Sequence, residues 1–167
     1  IANRYIEIGD EYRDREQYQE AIESYEQALN ADAGNLKAQA NIGTVYLDQE
    51  AFTQAVEAFG TALQIDDEDV VSRTGYCDAN LALGDEAQGN QDPEAALGFF
   101  QAILVVNPAH TDARQRMASI YQERAEDLLG YTVEELIGRP MLELYADAPA
   151  GKEKALQIFE RFRDGEA

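Results

Sequence analysis

The sequence predicts an all-α chain built as a tandem array of helix pairs, and three observations carry that expectation. The chain matches itself when displaced by 34 residues. Ile8, Gly9, Tyr12, Asp14, Glu16, Ala21, Glu23, Ala28, Leu29 and Asp32 recur as Ile42, Gly43, Tyr46, Asp48, Glu50, Ala55, Glu57, Ala62, Leu63 and Asp66, with Tyr18/Phe52, Ile22/Val56 and Tyr25/Phe59 as near matches. Within each copy, apolar or small residues fall at i, i+3, i+4 and i+7, the spacing that lines one face of an α-helix. Gly9, Ala21 and Ala28, and their counterparts one period on, are small enough to let two helices approach closely, with the aromatics filling the space beside them.

Taken in order, residues 2–35 and 36–69 form the first two helix–turn–helix units. A third, 70–109, is looser: Tyr76 and Cys77 stand where Ile42 and Gly43 stood, and Asn80 replaces the tyrosine. Its second helix, marked by Ala95, Phe99 and Ala102, arrives 40 residues after Ala55, Phe59 and Ala62, which implies about six inserted residues. The alternative register, Ala96 and Phe100, fits the spacing to Asn107-Pro108 better. The insertion is placed near 84–92, a polar stretch expected to be a mobile surface excursion or a loose helix extension. Asp92 caps the helix that follows, with Pro93 at its first position. An extra helix is expected over 111–127, opened by the packing residues Met117, Ala118 and Tyr121. The pattern then changes. In 128–140, Thr132 and Glu135 make a capping box, Gly138 and Pro140 stop a short helix, and a last helix is expected from about 149 to 164.

The repeated I-G-x2-Y, then A-x3-[YF]-x2-A-L, resembles the tetratricopeptide repeat (TPR) family, whose period is 34. That resemblance implies a right-handed α-solenoid over residues 1–127, with first helices lining a concave face. The string LLGYTVEELIGRP resembles the helical segment of PAS sensor domains and covers about residues 126–167. The strands of a complete PAS domain have no counterpart upstream, so no ligand residues carry over. Residues 128–167 are expected to cap the array, because half a sheet would leave unpaired edges. A truncated sensor domain is the alternative.

Charge narrows the function. With 33 acidic against 13 basic residues and a net charge of -20, the chain would be repelled by nucleic-acid phosphates and by anionic membrane surfaces. No apolar run approaches the ~20 residues of a membrane span, so no membrane insertion is expected. Cys77 is the lone cysteine and His110 the lone histidine, which leaves no disulfide framework and no His-rich metal site. Cys77 is expected in the core and His110 in a solvated turn. Asp66-Asp67-Glu68-Asp69 lacks calcium-loop spacing and reads as helix capping between repeats. No phosphate loop, nucleophile elbow or H-E-x-x-H is present. No enzyme activity, cofactor or metal is expected.

Projecting the first helices away from their packing residues directs Glu7, Asp10, Arg13, Asp14, Lys37, Asn41, Thr44, Asp48, Thr74, Asp78, Asp112, Arg116, Ser119 and Glu123 toward the groove. Glu7, Asp10, Asp14, Asp48, Asp78, Asp112 and Glu123 set seven acids against the three bases Arg13, Lys37 and Arg116. TPRs that clamp a chaperone's terminal carboxylate use Lys, Arg and Asn here. Asn41 matches one such position, but Ile6, Asp10, Val71 and Gly75 stand at others, so carboxylate clamping is not expected. The expected function is a protein-interaction scaffold or adaptor. Its partner would be a basic or mixed-charge protein segment, with apolar contact from Ile6, Ala40, Leu47 and Leu81. The alternative is part of a TPR–PAS sensory protein. The array's ends leave self-association open. The chain opens at Ile1 rather than Met, as a piece of a longer protein would, and a cytoplasmic setting is expected.

Overall fold

The structure is a computed structural model that describes residues 1–129. These residues form seven α-helices: α1 (Ala2–Asp14), α2 (Tyr18–Ala31), α3 (Leu36–Asp48), α4 (Phe52–Ile65), α5 (Val70–Gly89), α6 (Pro93–Val106) and α7 (Thr111–Leu129). No strand occurs among the described residues, so the all-α expectation holds there. Residues 130–167, which carry nearly all of the PAS-like segment, lie outside the described residues. Ile1–Met117 form one compact unit that holds all three helix pairs, and a second unit begins at Ala118.

Each helix pair closes on an aromatic ring pressed against a glycine. Tyr25, Phe59 and Phe100 are fully buried, and a β-carbon added to Gly9, Gly43 or Gly84 would run into those rings respectively. Each glycine precedes its ring by 16 residues, so the contact is one motif used three times. Ala21 and Ala28, then Ala55 and Ala62, are fully buried beside the rings, as small residues at a helix crossing must be. Burying each ring contributes roughly 1.5–3 kcal/mol.

The third pair settles its own register. Ala96, Phe100 and Ile103 are fully buried, whereas Ala95, Phe99 and Ala102 are only partly so. The Ala96/Phe100 register is therefore correct, and seven residues are added rather than six. They do not leave the helix. α5 has 20 residues where α3 has 13. It starts on schedule, since its N-cap Asp69 follows the N-cap Asn35 by 34 residues, yet Gly84 follows Gly43 by 41. Seven residues are two turns to within about 20°, so both faces of α5 stay in phase. Its first half packs on α4, where Gly75 lies against the far side of Phe59, and its second half packs on α6. The expectation of a mobile excursion or loose extension is corrected: Gly84 and Ala87 are buried.

The turns repeat as faithfully as the helices. Glu16, Glu50 and Gln91 each adopt a left-handed backbone, with φ of 58°, 57° and 59°. At the first turn the amide of Gln17 donates to Tyr12 O at 2.9 Å and that of Glu16 to Arg13 O at 2.8 Å. Ala51 with Glu50, and Asp92 with Gln91, repeat the arrangement, a Schellman closure satisfying carbonyls the helix leaves unpaired. Entry into α3, α5 and α7 is capped by side chains: Asn35 Oδ1 accepts from Ala38 N at 3.0 Å, Asp69 Oδ2 from Ser72 N at 2.7 Å and His110 Nδ1 from Ala113 N at 3.3 Å. Asp69 thus confirms the capping role read for its acidic run. His110 is a half-buried cap rather than a solvated turn residue.

Candidate peptide-binding face

First helices in successive pairs touch: α1 packs on α3 and α3 on α5, whereas α2 and α4 are not packed on each other to that degree. Of the residues projected onto the first-helix face, Glu7, Asp10, Arg13 and Asp14 lie on α1, Lys37, Asn41, Thr44 and Asp48 on α3, and Thr74 and Asp78 on α5. Asp112 and Arg116 lie on α7. None of these side chains is buried; Glu7, Asp14, Lys37, Asp48, Thr74, Asp78 and Asp112 are exposed. Ser119 and Glu123 are also exposed but belong to the second unit. Of the apolar contacts expected for a partner, Ile6 and Ala40 are unavailable because both are buried in helix packing; Leu47 and Leu81 remain partly exposed.

Asp10 does more than line the face. Its Oδ1 accepts from the hydroxyl of buried Tyr25 at 2.7 Å and from Asn41 Nδ2 at 2.8 Å, while Lys37 Nζ stands 3.6 Å from Oδ2. A phenol hydroxyl taken out of water needs an acceptor, and a carboxylate makes a strong one. Burial, then the hydrogen bond and charge of Asp10, push the Tyr25 hydroxyl well above the ordinary tyrosine range. The link between repeats recurs further along. Asp85 on α5 pairs with Arg116 on α7; these are the positions of Asp10 and Asn41 displaced by 75 residues, one period of 34 plus one of 41. Asp85 is a face residue that a projection in the 34-residue register misses, because the register shifts within α5. Thr44, at the corresponding place in α3, instead donates its hydroxyl to Ala40 O at 3.0 Å.

Beside Thr74 and Asp78 the face opens into a cleft of about 280 Å³ lined by Val70, Arg73, Thr74, Cys77, Asp78, Asn107 and His110. Arg73 donates to Val106 O at 2.7 Å, closing the C-terminal end of α6. Cys77 is buried, as expected for a packing residue. Burial first, and the neighbouring Asp78 charge second, raise its thiol pKa against the opposing pull of Arg73. The thiol thus stays protonated and a poor nucleophile. No group of metal-ligating side chains occurs among the described residues, and no helix there is long and apolar enough to cross a membrane.

Family models place these repeats. A TPR repeat model matches residues 9–50 and a tetratricopeptide repeat model matches 36–69. Residues 9–69 are tetratricopeptide (TPR) repeats. Solved structures share the chain's fold at low identity. The N-terminal domain of stress-induced protein-1 from C. elegans aligns with a TM-score of 0.54 at 18% identity, covering 72% of this chain and 94% of that one. The first TPR of Spaghetti (RPAP3), bound to the HSP90 peptide SRMEEVD, gives 0.52 at 23%, covering 74% and 93%. MamA protein gives 0.50 at 22%, covering 96% and 88%. No curated protein sequence matches the chain. Within these repeats Asn41, expected at a clamp-like position, donates instead to Asp10.

Proposed function

We propose that this chain is a non-catalytic interaction scaffold whose first-helix face binds an extended, Lys/Arg-bearing segment of a partner protein. The observation that carries the reading is the imbalance of available charge. Glu7, Asp14, Asp48, Asp78 and Asp112 are exposed, while of the three bases Lys37 and Arg116 already face Asp10 and Asp85 and Arg13 is half-buried. Peptide binding as a class is supported by the Spaghetti TPR, seen with an HSP90 peptide. That peptide, SRMEEVD, carries three acids to one base, and an acidic face would repel it, so the ligand of this chain has the opposite sign. Surplus acid also serves plain solubility, so the test must separate the two roles.

Fluorescence anisotropy with labelled Lys-rich and Glu-rich peptides does so. The Lys-rich peptide should bind at low ionic strength and weaken toward physiological salt, where screening shortens to ~8 Å. Charge reversal belongs at Asp14 and Asp48, which are exposed; reversing Asp10 would strand the Tyr25 hydroxyl and confuse binding with folding. Asp14→Lys with Asp48→Lys should weaken binding at unchanged helicity. Equal binding by the double variant would contradict the reading.

A further inference from the structure

The lengthened α5 leaves something that the first two pairs lack. Gly84 packs on Phe100, and six residues outward along the antiparallel helices Asp78 comes level with Val106, the last residue of α6. The first two turns of α5, residues 70–76, therefore extend past the end of α6. α1 and α3, at 13 residues each against partners of 14, have no such overhang.

The overhang exposes two valines beside Thr74. Val70 is 74% exposed and Val71 55%. Val71 lies one turn before Gly75, on the side of α5 that meets α4, and Ile65 lies one turn after buried Ala62 on α4; Ile65 is 41% exposed. Valines exposed at the start of a helix gain little by folding, and exposed apolar residues beside a cleft suit a contact surface. The charge around them is acidic. Asp66, Asp67 and Glu68 are exposed in the turn before α5, and Asp78 is exposed at the cleft. The cation beside them, Arg73, sits on the carbonyl end of α6, where the helix dipole is negative and compensates it.

We infer that the α5 overhang and the α6–α7 turn form a side-chain pocket taking a Lys or Arg of the partner together with the apolar residue beside it. The aliphatic stem of the basic residue would lie along Val70, its cationic head would meet Asp78, and the adjacent apolar side chain would cover Val71 and Ile65. The inference rests on the proposed peptide-binding function and names where on the face the contact is anchored.

The probes are three short labelled peptides, alternating Lys with Leu, Lys with Ser and Glu with Leu, titrated by anisotropy. The Lys–Leu peptide should bind at least about 5-fold tighter than Lys–Ser, since apolar burial adds to charge. Asp78→Asn and Val70→Ser, both at exposed positions, should each weaken Lys–Leu binding about 3- to 5-fold at unchanged circular dichroism. Glu57→Gln, exposed on α4, should leave it unchanged. Lys–Leu binding that ignores both cleft variants but weakens with Asp14→Asn and Asp48→Asn would overturn the pocket and leave the scaffold standing. Binding of neither Lys peptide would overturn both. If Val70→Ser and Val71→Ser convert a dimer to a monomer in sedimentation without peptide, a second copy covers the overhang and the pocket is overturned.

Discussion

Gly84 lies against the ring of Phe100, as Gly43 lies against Phe59 and Gly9 against Tyr25. No room exists for a β-carbon at these crossings, and the rings are fully buried, so they have nowhere to go. Gly84→Ala and Gly43→Ala should each destabilise the chain by about 1–3 kcal/mol through overpacking. Gly98→Ala should do the opposite. Gly98 is inside α6 with nothing near its missing side chain, and there alanine should stabilise by about 0.5–1 kcal/mol. Chemical denaturation of the three variants checks both signs.

The left-handed residues give a second test. Glu16, Glu50 and Gln91 are exposed, and their backbone conformation favours glycine over any residue with a β-carbon. Replacing each by Gly should stabilise by about 0.5–1 kcal/mol, less than the full left-handed penalty because glycine also loses more chain entropy on folding. Glu50→Val should lower the melting temperature.

Two of these turns follow directly from the 34-residue repeat, and so do α1 to α4: matched apolar positions fix helix faces without any knowledge of three-dimensional contacts. The length of α5 is harder to read. Two added turns keep the apolar phase intact, so the glycine-rich polar stretch around Gly84-Asp85-Glu86 looks like a loop although it is helix buried on one side. Which residues share a side of each helix was legible, because helical geometry alone decides it. Their pairing was not. Nothing local to Asp10 reveals that Tyr25 and Asn41 claim its carboxylate, and Asp85 is found only once the shift of seven residues is known.

Phase also predicts how α5 tolerates shortening. Deleting Cys77–Ala82, six residues, turns the second half of the helix by about 120° relative to the first and would aim Gly84 away from Phe100. Deleting Cys77–Leu83, seven residues, keeps the phase. Both lose packing, but the seven-residue deletion should retain more helicity and melt higher. The reverse order would contradict the two-turn account of α5.

The Tyr25–Asp10 bond should appear in the pH dependence of stability. The folded state holds the Tyr25 hydroxyl above its ordinary value, so the unfolded chain loses that proton first. The stabilisation is complete below the ordinary tyrosine value of about 10 and falls as pH rises beyond it. Tyr25→Phe, the residue type that Phe59 and Phe100 already supply, should fit the crossing, cost about 1 kcal/mol at neutral pH and flatten the alkaline decline. Urea midpoints measured from neutral to strongly alkaline pH test this.

The central claim is that the first-helix face, with its exposed acids, receives the partner. Amide chemical shifts of the isotope-labelled chain, followed while the Lys–Leu peptide is added, test it most directly. The expected result is that shifts concentrate around Asp14, Asp48, Thr74 and Asp78 and diminish as salt is raised. Shifts confined to the exposed positions of α2, α4 and α6, such as Glu23, Glu57 and Gln101, would contradict it.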